Sequence, residues 1–168
     1  MRQSCSEFFY GKVPVLELEN GKQLNQSATI ARYLGEKFHL AGKDEWEKAK
    51  VNEVVDFHKD VYAELTPYYY TVLGYREGNK EQLRKDVYVP GVARILPLYE
   101  KLLKESGSGF FASSGLTFVD FMVADYLNTW VERVEPDMLK DHPELAAFVK
   151  RVHSVPQLQS YIASRPSK

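Results

Sequence analysis

Cysteine is nearly absent from this sequence, and so are long apolar runs and an excess of charge of either sign. The single cysteine, Cys5, permits no intrachain disulfide and no multi-cysteine zinc or iron–sulfur site, as is typical of a reducing compartment. Lys and Arg number 22 against 23 Asp and Glu, so no strong field attracts nucleic acid or anionic lipid. No stretch reaches the ~20 apolar residues that cross a bilayer, and no signal peptide opens the chain. We expect a cytoplasmic protein without nucleic-acid or membrane partners.

The common catalytic motifs are also missing. The sequence has no phosphate-binding glycine loop, no glycine-framed serine and no pair of histidines at metal-binding spacing. The four histidines are scattered, and His58, which falls on an apolar stripe, is interpreted as a core histidine with its hydrogen bonds satisfied. Cys5 has no cationic neighbour that would activate its thiol. We therefore predict no metal site and an unreactive cysteine.

Apolar side chains are plentiful: 44% of residues are hydrophobic, with eleven Tyr and nine Phe, which predicts a globular core. Residues 13–18 form a β-rich run, and the pair Asn20-Gly21 accepts the positive φ angles of a tight hairpin turn. A second short strand is expected at residues 23–24. A helix with Ser27 as its capping residue is expected to follow. The first part of the chain is therefore predicted to be a hairpin and one helix.

Everything after Lys43 is predicted to be helical. An apolar stripe at i, i+3, i+4, i+7 spacing runs from Val51 to Leu65. A later helix is apolar nearly all round and should be buried centrally, and Thr117 with Asp120 predicts a capping box at its start. The expected helices cover 46–65, 80–105 and 118–131, with two short ones opening near 143 and 156. The predicted fold class is α+β, with one domain at 1–36, a linker at 37–43 and an all-helical domain at 44–168.

Two features are not explained by local stability alone. Gln26-Ser27, at the start of a helix after a strand, offers free N–H groups, a helix dipole and a hydroxyl that suit a carboxylate, although a plain N-cap has the same pattern. Acidic residues also follow one another at i+4 on the first long helix, where they repel one another. A cation from a ligand or partner chain could offset this repulsion, and a merely solvated acidic face is the other reading. The residues of this acidic ridge are Glu53, Asp56, Asp60 and Glu64.

Three motifs together resemble the cytosolic glutathione transferases, with the greatest likeness to the sigma class. They are residues 10–16 (YGKVPVL), residues 26–34 (QSATIARYL) and residues 115–120 (GLTFVD). The resemblance continues through residues 142–145 and 156–161 and spans roughly 8 to 164. It implies a thioredoxin-like glutathione-binding domain, here reduced to the hairpin and helix, followed by an all-helical bundle. It also implies glutathione as co-substrate, no further cofactor, and a homodimer or a heterodimer with related chains.

The resemblance implies roles for individual residues. Val13, before a cis proline at Pro14, would pair through its backbone with the cysteinyl part of glutathione. Asp60 would reach across a dimer interface to the γ-glutamyl ammonium group, and Tyr10 would be the aromatic key inserted into the partner subunit. The residues implied to bind glutathione are Gly11, Lys12, Val13, Gln26, Ser27 and Asp60.

The family's first strand, helix and second strand have no equivalent in residues 1–9, so the resemblance implies no counterpart of the tyrosine that activates the thiol. No catalytic residue is therefore predicted. Two hypotheses follow: an enzyme that conjugates glutathione to hydrophobic electrophiles, or a catalytically impaired relative that binds hydrophobic ligands or dimerises with related chains. Relatives also include prostaglandin isomerases and haem or ligand carriers, and the sequence leaves the acceptor open. Tyr68, Tyr69 and Tyr70 could line an acceptor pocket or be plain core.

Overall fold

A computed structural model of the chain describes residues 8–165, so Cys5 lies outside the described part. The chain opens with the predicted hairpin. Strands β1 (Val15–Glu17) and β2 (Gln23–Asn25) pair antiparallel with Leu16 opposite Leu24. In the turn, the N–H of Gly21 donates to the carbonyl of Leu18 at 2.8 Å, and Gly21 takes a φ of 77°. The predicted turn at Asn20-Gly21 is present, but only Gly21 of the pair takes a positive φ.

Helices make up nearly all of the rest, which confirms the α+β class. None of them, within residues 8–165, is long and apolar enough to span a bilayer. A five-residue π-helical segment covers Arg84–Tyr88, and a 3-10 turn covers Pro156–Leu158. The α-helices are α1 (Ser27–Lys37), α2 (Glu45–Val72), α3 (Lys80–Leu83), α4 (Val89–Ser106), α5 (Phe118–Arg133), α6 (Pro143–His153) and α7 (Gln159–Ser164).

The expected continuous helix over residues 80–105 is instead three pieces: α3, the π-helical segment and α4. Pro90 has no backbone N–H to donate. The i→i+5 hydrogen bonding of the π-helical segment ends at the residue before it, where the N–H of Val89 donates to the carbonyl of Arg84. Pro97 lies inside α4 without dividing it. The bend expected at Pro90 is therefore realised as the π-helical segment.

The core is centred on α5, as the all-round apolar pattern predicted. Val119, Val123, Ala124, Leu127 and Trp130 all have no exposed surface. The apolar stripe of α2 packs against it through its buried valines and leucine, with Tyr62 as the exception at 41% exposure. Helices α4 and α6 close the other sides of this centre.

The start of α5 is fixed by the predicted capping box, which is present. The Asp120 carboxylate accepts from the N–H of Thr117 at 2.7 Å and from its hydroxyl at 2.9 Å. It also accepts from the N–H of Phe111 at 2.9 Å. Burial raises the pKa of Asp120 to about 6, although these hydrogen bonds act in the opposite direction. One buried carboxylate thus joins the helix start to the preceding loop.

A second buried carboxylate, that of Glu47, ties the same loop to α2. It accepts from the hydroxyl of Ser113 at 2.8 Å and from the N–H and hydroxyl of Ser114 at 2.9 and 2.6 Å. The N–H of Lys43 donates to it at 2.7 Å. Burial alone would raise the pKa of Glu47, but the hydrogen bonds from Ser114, Lys43 and Ser113 lower it to about 2. Glu47 is therefore charged at neutral pH.

The hairpin and α1 dock on the helical part through the start of α5. Gly35 is buried there, and a Cβ atom at this position would lie 2.3 Å from Cδ1 of the Phe118 ring. Beyond α1, the N–H of Leu40 donates to the Gly35 carbonyl at 2.7 Å, and the N–H of Phe118 donates to the Leu40 carbonyl at 2.9 Å. The close contact at Gly35 positions the hairpin relative to the bundle.

Candidate functional site

The hairpin register brings together the two segments predicted to bind a peptide. Val13 and Pro14, just before β1, lie beside Gln26 and Ser27, just after β2. The Val13–Pro14 peptide bond is cis, and Val13 is 63% exposed. Its backbone N–H and C=O make no hydrogen bond within residues 8–165. Both groups are therefore free to pair with an extended peptide.

Ser27 is the first residue of α1 and not its N-cap, which corrects the sequence prediction. The N-cap is Gln26, whose φ of 71° is uncommon for a residue other than glycine, and no side chain caps the helix. The N–H groups of the first turn are therefore open at the positive end of the helix dipole, and the exposed Ser27 lies beside them. This arrangement can hold a carboxylate.

The residues before this pair lie at the surface. Tyr10 is 55% exposed and its ring meets that of Phe9 edge to face, with the centroids 4.8 Å apart. Gly11 takes a φ of 60° and donates its N–H to the Phe8 carbonyl at 2.8 Å. Lys12 is exposed and forms no ion pair within the described part of the chain. The roles of Tyr10, Gly11 and Lys12 remain predictions.

Cations of the chain itself offset most of the acidic ridge. Asp56 pairs with Arg32 of α1 at 2.5 Å, Glu53 pairs with Lys50 at 2.6 Å, and Glu64 pairs with Arg94. Residues 8–165 contain no group of three or more His, Cys, Asp or Glu that could hold a metal ion. Of the two readings of the ridge, a cation from a ligand or partner chain is therefore left open only for its fourth member, Asp60.

The exposed carboxylate of Asp60 has no ion pair or hydrogen bond among residues 8–165. It lies one helical turn beyond Asp56, the residue that pairs with Arg32 of α1, and so lies on the same ridge of α2. Asp60 is not among the residues that line the cleft beside Ser27. Its role at a glutathione site stays a prediction.

A cleft of about 510 Å³ opens beside Ser27, between α1, α2 and α5. Its walls are mostly apolar or aromatic, and a polar edge is formed by the start of α1. Such a cavity is large enough for a small organic molecule. The residues that line it are Ser27, Ala28, His58, Lys59, Tyr62, Tyr69, Met122, Asp125, Tyr126 and Thr129.

The run Tyr68–Tyr70 contributes only one residue to this cleft, Tyr69. Tyr68 is buried against Trp130, with ring centroids 6.2 Å apart, and its hydroxyl donates to Glu135. Tyr70 does not line the cleft itself, but its hydroxyl lies 2.9 Å from that of Tyr62, which does.

Sequence reasoning missed three lining residues that come from helix faces assigned to the core. Tyr62, Met122 and Tyr126 lie where two helices diverge, and their aromatic or polarisable side chains are left partly uncovered. The incomplete burial of Tyr62 on an otherwise buried stripe is visible only when the position of α1 is known.

Burial keeps three side chains of the cleft uncharged at neutral pH. It lowers the pKa of His58 to about 4. Burial and the hydrogen bond with Tyr70 raise the pKa of Tyr62 to about 12, and burial also raises the pKa of Tyr126. These three offer neutral hydrogen-bonding groups within mostly apolar walls, and Lys59 and Asp125 line the cleft as well.

The pH dependence of stability provides a test of these buried groups. His58 binds its proton less readily in the folded protein than in the unfolded chain, so its contribution is complete above pH 6.5 and is lost as the pH falls toward about 4. Asp120 has a raised pKa, so stability is regained as the pH falls from about 6 toward 3.8. From the two shifts, each effect amounts to about 3 kcal/mol, and the signs are opposite.

We therefore expect the unfolding free energy of the wild type to be nearly constant between pH 6.5 and 4.5. In the His58→Asn variant the Asp120 effect is no longer offset by His58, so stability should rise by about 2 kcal/mol over the same interval. Urea unfolding at four pH values measures both profiles. Parallel profiles for the two proteins would contradict the assignment of a depressed pKa to His58.

Comparison with known proteins is consistent with this geometry. A family model described as "Glutathione S-transferase, C-terminal domain" matches residues 59–165. The chain is similar to glutathione S-transferase 1 of Ascaris suum, with 41% identity over 157 residues, which cover 94% of this chain and 75% of that protein.

Solved structures give the same result. The glutathione S-transferase of Ascaris lumbricoides superposes with a TM-score of 0.90 at 39% identity, covering 97% of this chain and 78% of that one. A Nu-class glutathione S-transferase from Haemonchus contortus gives a TM-score of 0.85 at 37% identity, covering 97% of this chain and 78% of that one. These matches confirm the predicted fold class, and they give no support to the sigma class. The chain belongs to the glutathione S-transferase family.

Proposed function

We propose that this protein conjugates the thiol of glutathione to hydrophobic, electrophilic small molecules. The observation that carries the proposal is the cleft in which the open start of α1, at Ser27, adjoins walls formed by Tyr62, Met122 and Tyr126. A polar end suited to an anionic peptide and an apolar body suited to an electrophile thus meet in one cavity. The reaction uses glutathione as co-substrate and requires no redox cofactor.

In this proposal the backbone of Val13 pairs with the cysteinyl part of glutathione, and Gln26 and Ser27 hold the γ-glutamyl end. The carboxylate of that end accepts from the Ser27 hydroxyl and from the first N–H groups of α1. The sulfur would then point toward the cleft. No residue from 8 to 165 is assigned the role of lowering the pKa of the thiol.

Replacing Ser27 by alanine tests the glutathione site. A hydrogen bond to a charged group contributes about 1.5–3 kcal/mol, so the dissociation constant for glutathione should rise about 10-fold or more. Isothermal titration calorimetry measures this constant, and the rate of conjugation to benzyl chloride at high glutathione measures turnover. The Ser27 hydroxyl makes no hydrogen bond within the described residues, so the fold should be unaffected.

Ser160→Ala, at an exposed serine of α7, is the matched control and should leave the glutathione affinity unchanged. Equal affinities for the wild type and Ser27→Ala would contradict the placement of the γ-glutamyl group. A wild-type conjugation rate equal to the blank without protein would contradict the enzymatic proposal even if glutathione binds.

A second candidate function is a binding protein without turnover. It is favoured by the fact that the apolar cleft is complete within one chain, whereas no thiol-activating group is assigned in the described part. Tight binding of hydrophobic ligands with no conjugation above the blank would support this candidate. A cytoplasmic location remains a prediction from the cysteine content.

We also propose that two copies of this chain, or this chain and a related one, associate through a groove between α2 and α4. The groove contains the exposed Trp46 at one end and Phe57 and Leu98 at the other. Its rim alternates lysines and glutamates, a pattern that can face its own copy across a two-fold axis. Asp60 lies near this face and would then be able to reach the glutathione site of the partner.

Replacing Trp46 by lysine should weaken this dimer. A 76% exposed tryptophan buries a large apolar surface when a partner covers it, and its loss should raise the dissociation constant of the dimer about 100-fold. Sedimentation velocity distinguishes the 19.3 kDa chain from a species of twice that mass. Tyr161→Ala, which removes another exposed aromatic side chain from α7, is the control. A monomeric wild type, or a Trp46→Lys variant that is as dimeric as the control, would contradict the proposal.

A further inference from the structure

His58 occupies an unusual position, because it is almost buried and yet lines the cleft. Only 6% of its surface is exposed. Its Nδ1 atom lies 2.8 Å from the hydroxyl oxygen of Tyr99. Its Nε2 atom has no hydrogen-bond partner in the described part of the chain, and it is not fully buried. Nε2 is therefore accessible from the surface, and His58 meets the surface at the cleft.

The contact with Tyr99 determines which ring nitrogen carries the proton. Tyr99 has no exposed surface, and burial raises the pKa of its hydroxyl well above 10, so it keeps its proton. The one hydrogen-bond partner of this hydroxyl among residues 8–165 is Nδ1 of His58. If Nδ1 carried a proton and donated it, the hydroxyl hydrogen would be buried without an acceptor, which is costly. The hydroxyl therefore donates to Nδ1, and the proton of the neutral ring is on Nε2.

Aromatic and apolar side chains surround this N–H group. The ring of Tyr126 meets the His58 ring edge to face, with the centroids 5.0 Å apart and the planes at 87°. Tyr126 and Met122 also form the cleft wall next to it. An uncharged donor between such walls suits a neutral oxygen acceptor on a ligand better than a carboxylate, and its hydrogen bond is strengthened by the apolar environment.

We propose that His58 is a catalytic hydrogen-bond donor that directs this protein toward α,β-unsaturated carbonyl compounds. The inference rests on the proposed conjugation and names the class of electrophile. In the reaction glutathione gives its thiol proton to water, and the thiolate sulfur supplies an electron pair to the β-carbon, so that a C–S bond forms. The π pair of the C=C bond moves toward the carbonyl, so that an enolate oxygen carries the negative charge. Nε2–H of His58 donates to that oxygen, and the α-carbon then takes a proton from water to give the saturated thioether.

The test compares two electrophiles in three proteins. trans-Chalcone is an α,β-unsaturated ketone, whereas benzyl chloride reacts by displacement of chloride and develops no charge on a carbonyl oxygen. The proteins are the wild-type chain, His58→Asn and His58→Gln. Asparagine can still accept from Tyr99 but is too short to present a donor at the Nε2 position, whereas glutamine can place an N–H there. The readout is the ratio of kcat/KM for chalcone to kcat/KM for benzyl chloride.

We expect this ratio to fall about 10- to 100-fold in His58→Asn, because removal of one donor to a developing oxyanion typically costs about that much or more. The ratio should recover substantially in His58→Gln. A decrease shared equally by the two electrophiles leaves the ratio unchanged, shows a purely structural role and overturns the proposal. An equal ratio in all three proteins with unchanged rates also overturns it.

A binding measurement separates this proposal from the proposed conjugation. In the chain labelled with ¹⁵N-histidine, the unreactive ketone dihydrochalcone should shift the Nε2 resonance of His58 and bind about 10-fold more weakly to His58→Asn. If neither electrophile is conjugated but this shift is present, conjugation fails and carbonyl recognition by His58 stands. If dihydrochalcone leaves the His58 resonance unchanged, recognition by His58 is overturned whatever the rates.

Discussion

Replacement of Asp120 by alanine is expected to lower the free energy of unfolding by about 4 kcal/mol. The carboxylate is fully buried and accepts from the N–H of Phe111 and from the N–H and hydroxyl of Thr117. Without it, three donors remain buried with no acceptor, and each unsatisfied donor costs about 1–3 kcal/mol. The start of α5 also loses its capping box. Urea unfolding followed by circular dichroism measures the change.

Asp120→Asn is the matched control for this prediction. Its amide oxygen, at the position of Oδ2, can keep the two hydrogen bonds from Thr117 while its NH₂ group faces the N–H of Phe111, so the loss should lie between the values for wild type and alanine. The control also keeps the prediction measurable if the alanine variant does not fold. A loss below 1 kcal/mol in Asp120→Ala would show that the carboxylate is not what holds this helix start.

Replacement of Gly35 by alanine is expected to separate the hairpin and α1 from the helical bundle. The added methyl group would lie 2.3 Å from a carbon of the buried Phe118 ring, so the ring or the helix must move. Overpacking of this kind costs typically 1–3 kcal/mol, and here the cost falls on the contact that positions Ser27 beside the cleft. Limited proteolysis should cut between residues 37 and 45 faster, and glutathione affinity should fall about 10-fold or more.

Two further variants establish the cause. In a Phe118→Leu background the smaller side chain leaves room, so the added effect of Gly35→Ala should shrink. Gly91→Ala introduces a comparable contact, 2.8 Å from a methyl carbon of Leu65, but inside the helical bundle. It should lower stability without faster cleavage of the 37–45 segment. Equal cleavage rates in Gly35→Ala and Gly91→Ala would mean that α1 does not depend on its contact with Phe118.

The parts of the fold that were predictable depend on residues close together in sequence. Asn20-Gly21 specified the hairpin turn, and Thr117 with Asp120 specified the start of α5, because both signals act over two to four residues. The π-helical segment before Pro90 was not predictable in the same way. Proline indicates a disturbed hydrogen-bond ladder, but whether it becomes a kink or a widened turn depends on packing against α2.

The sequence predicted only those parts of the candidate site that the backbone of short motifs forms. The cis bond before Pro14 and the helix start after Gln26 follow from short motifs, although the cap assigned to Ser27 was wrong because Gln26 adopts a left-handed backbone. For the acidic ridge, the sequence left open whether a cation from outside the chain or solvent offsets the charges. Two of its cations come from distant positions in the chain: Arg32 lies 24 residues before Asp56, and Arg94 lies 30 residues beyond Glu64. Such pairing is determined by tertiary structure.

The loop between α4 and α5 is held at both ends by carboxylates from different helices. Glu47 of α2 holds Ser113 and Ser114, and Asp120 of α5 holds Phe111. The amide hydrogens of Phe111 and Ser114 are thus both bound by carboxylates, and we expect both to exchange more slowly than those of an ordinary loop, with buried Phe111 better protected than exposed Ser114. Hydrogen exchange in a segment without regular secondary structure would then report whether α2 and α5 both hold this loop.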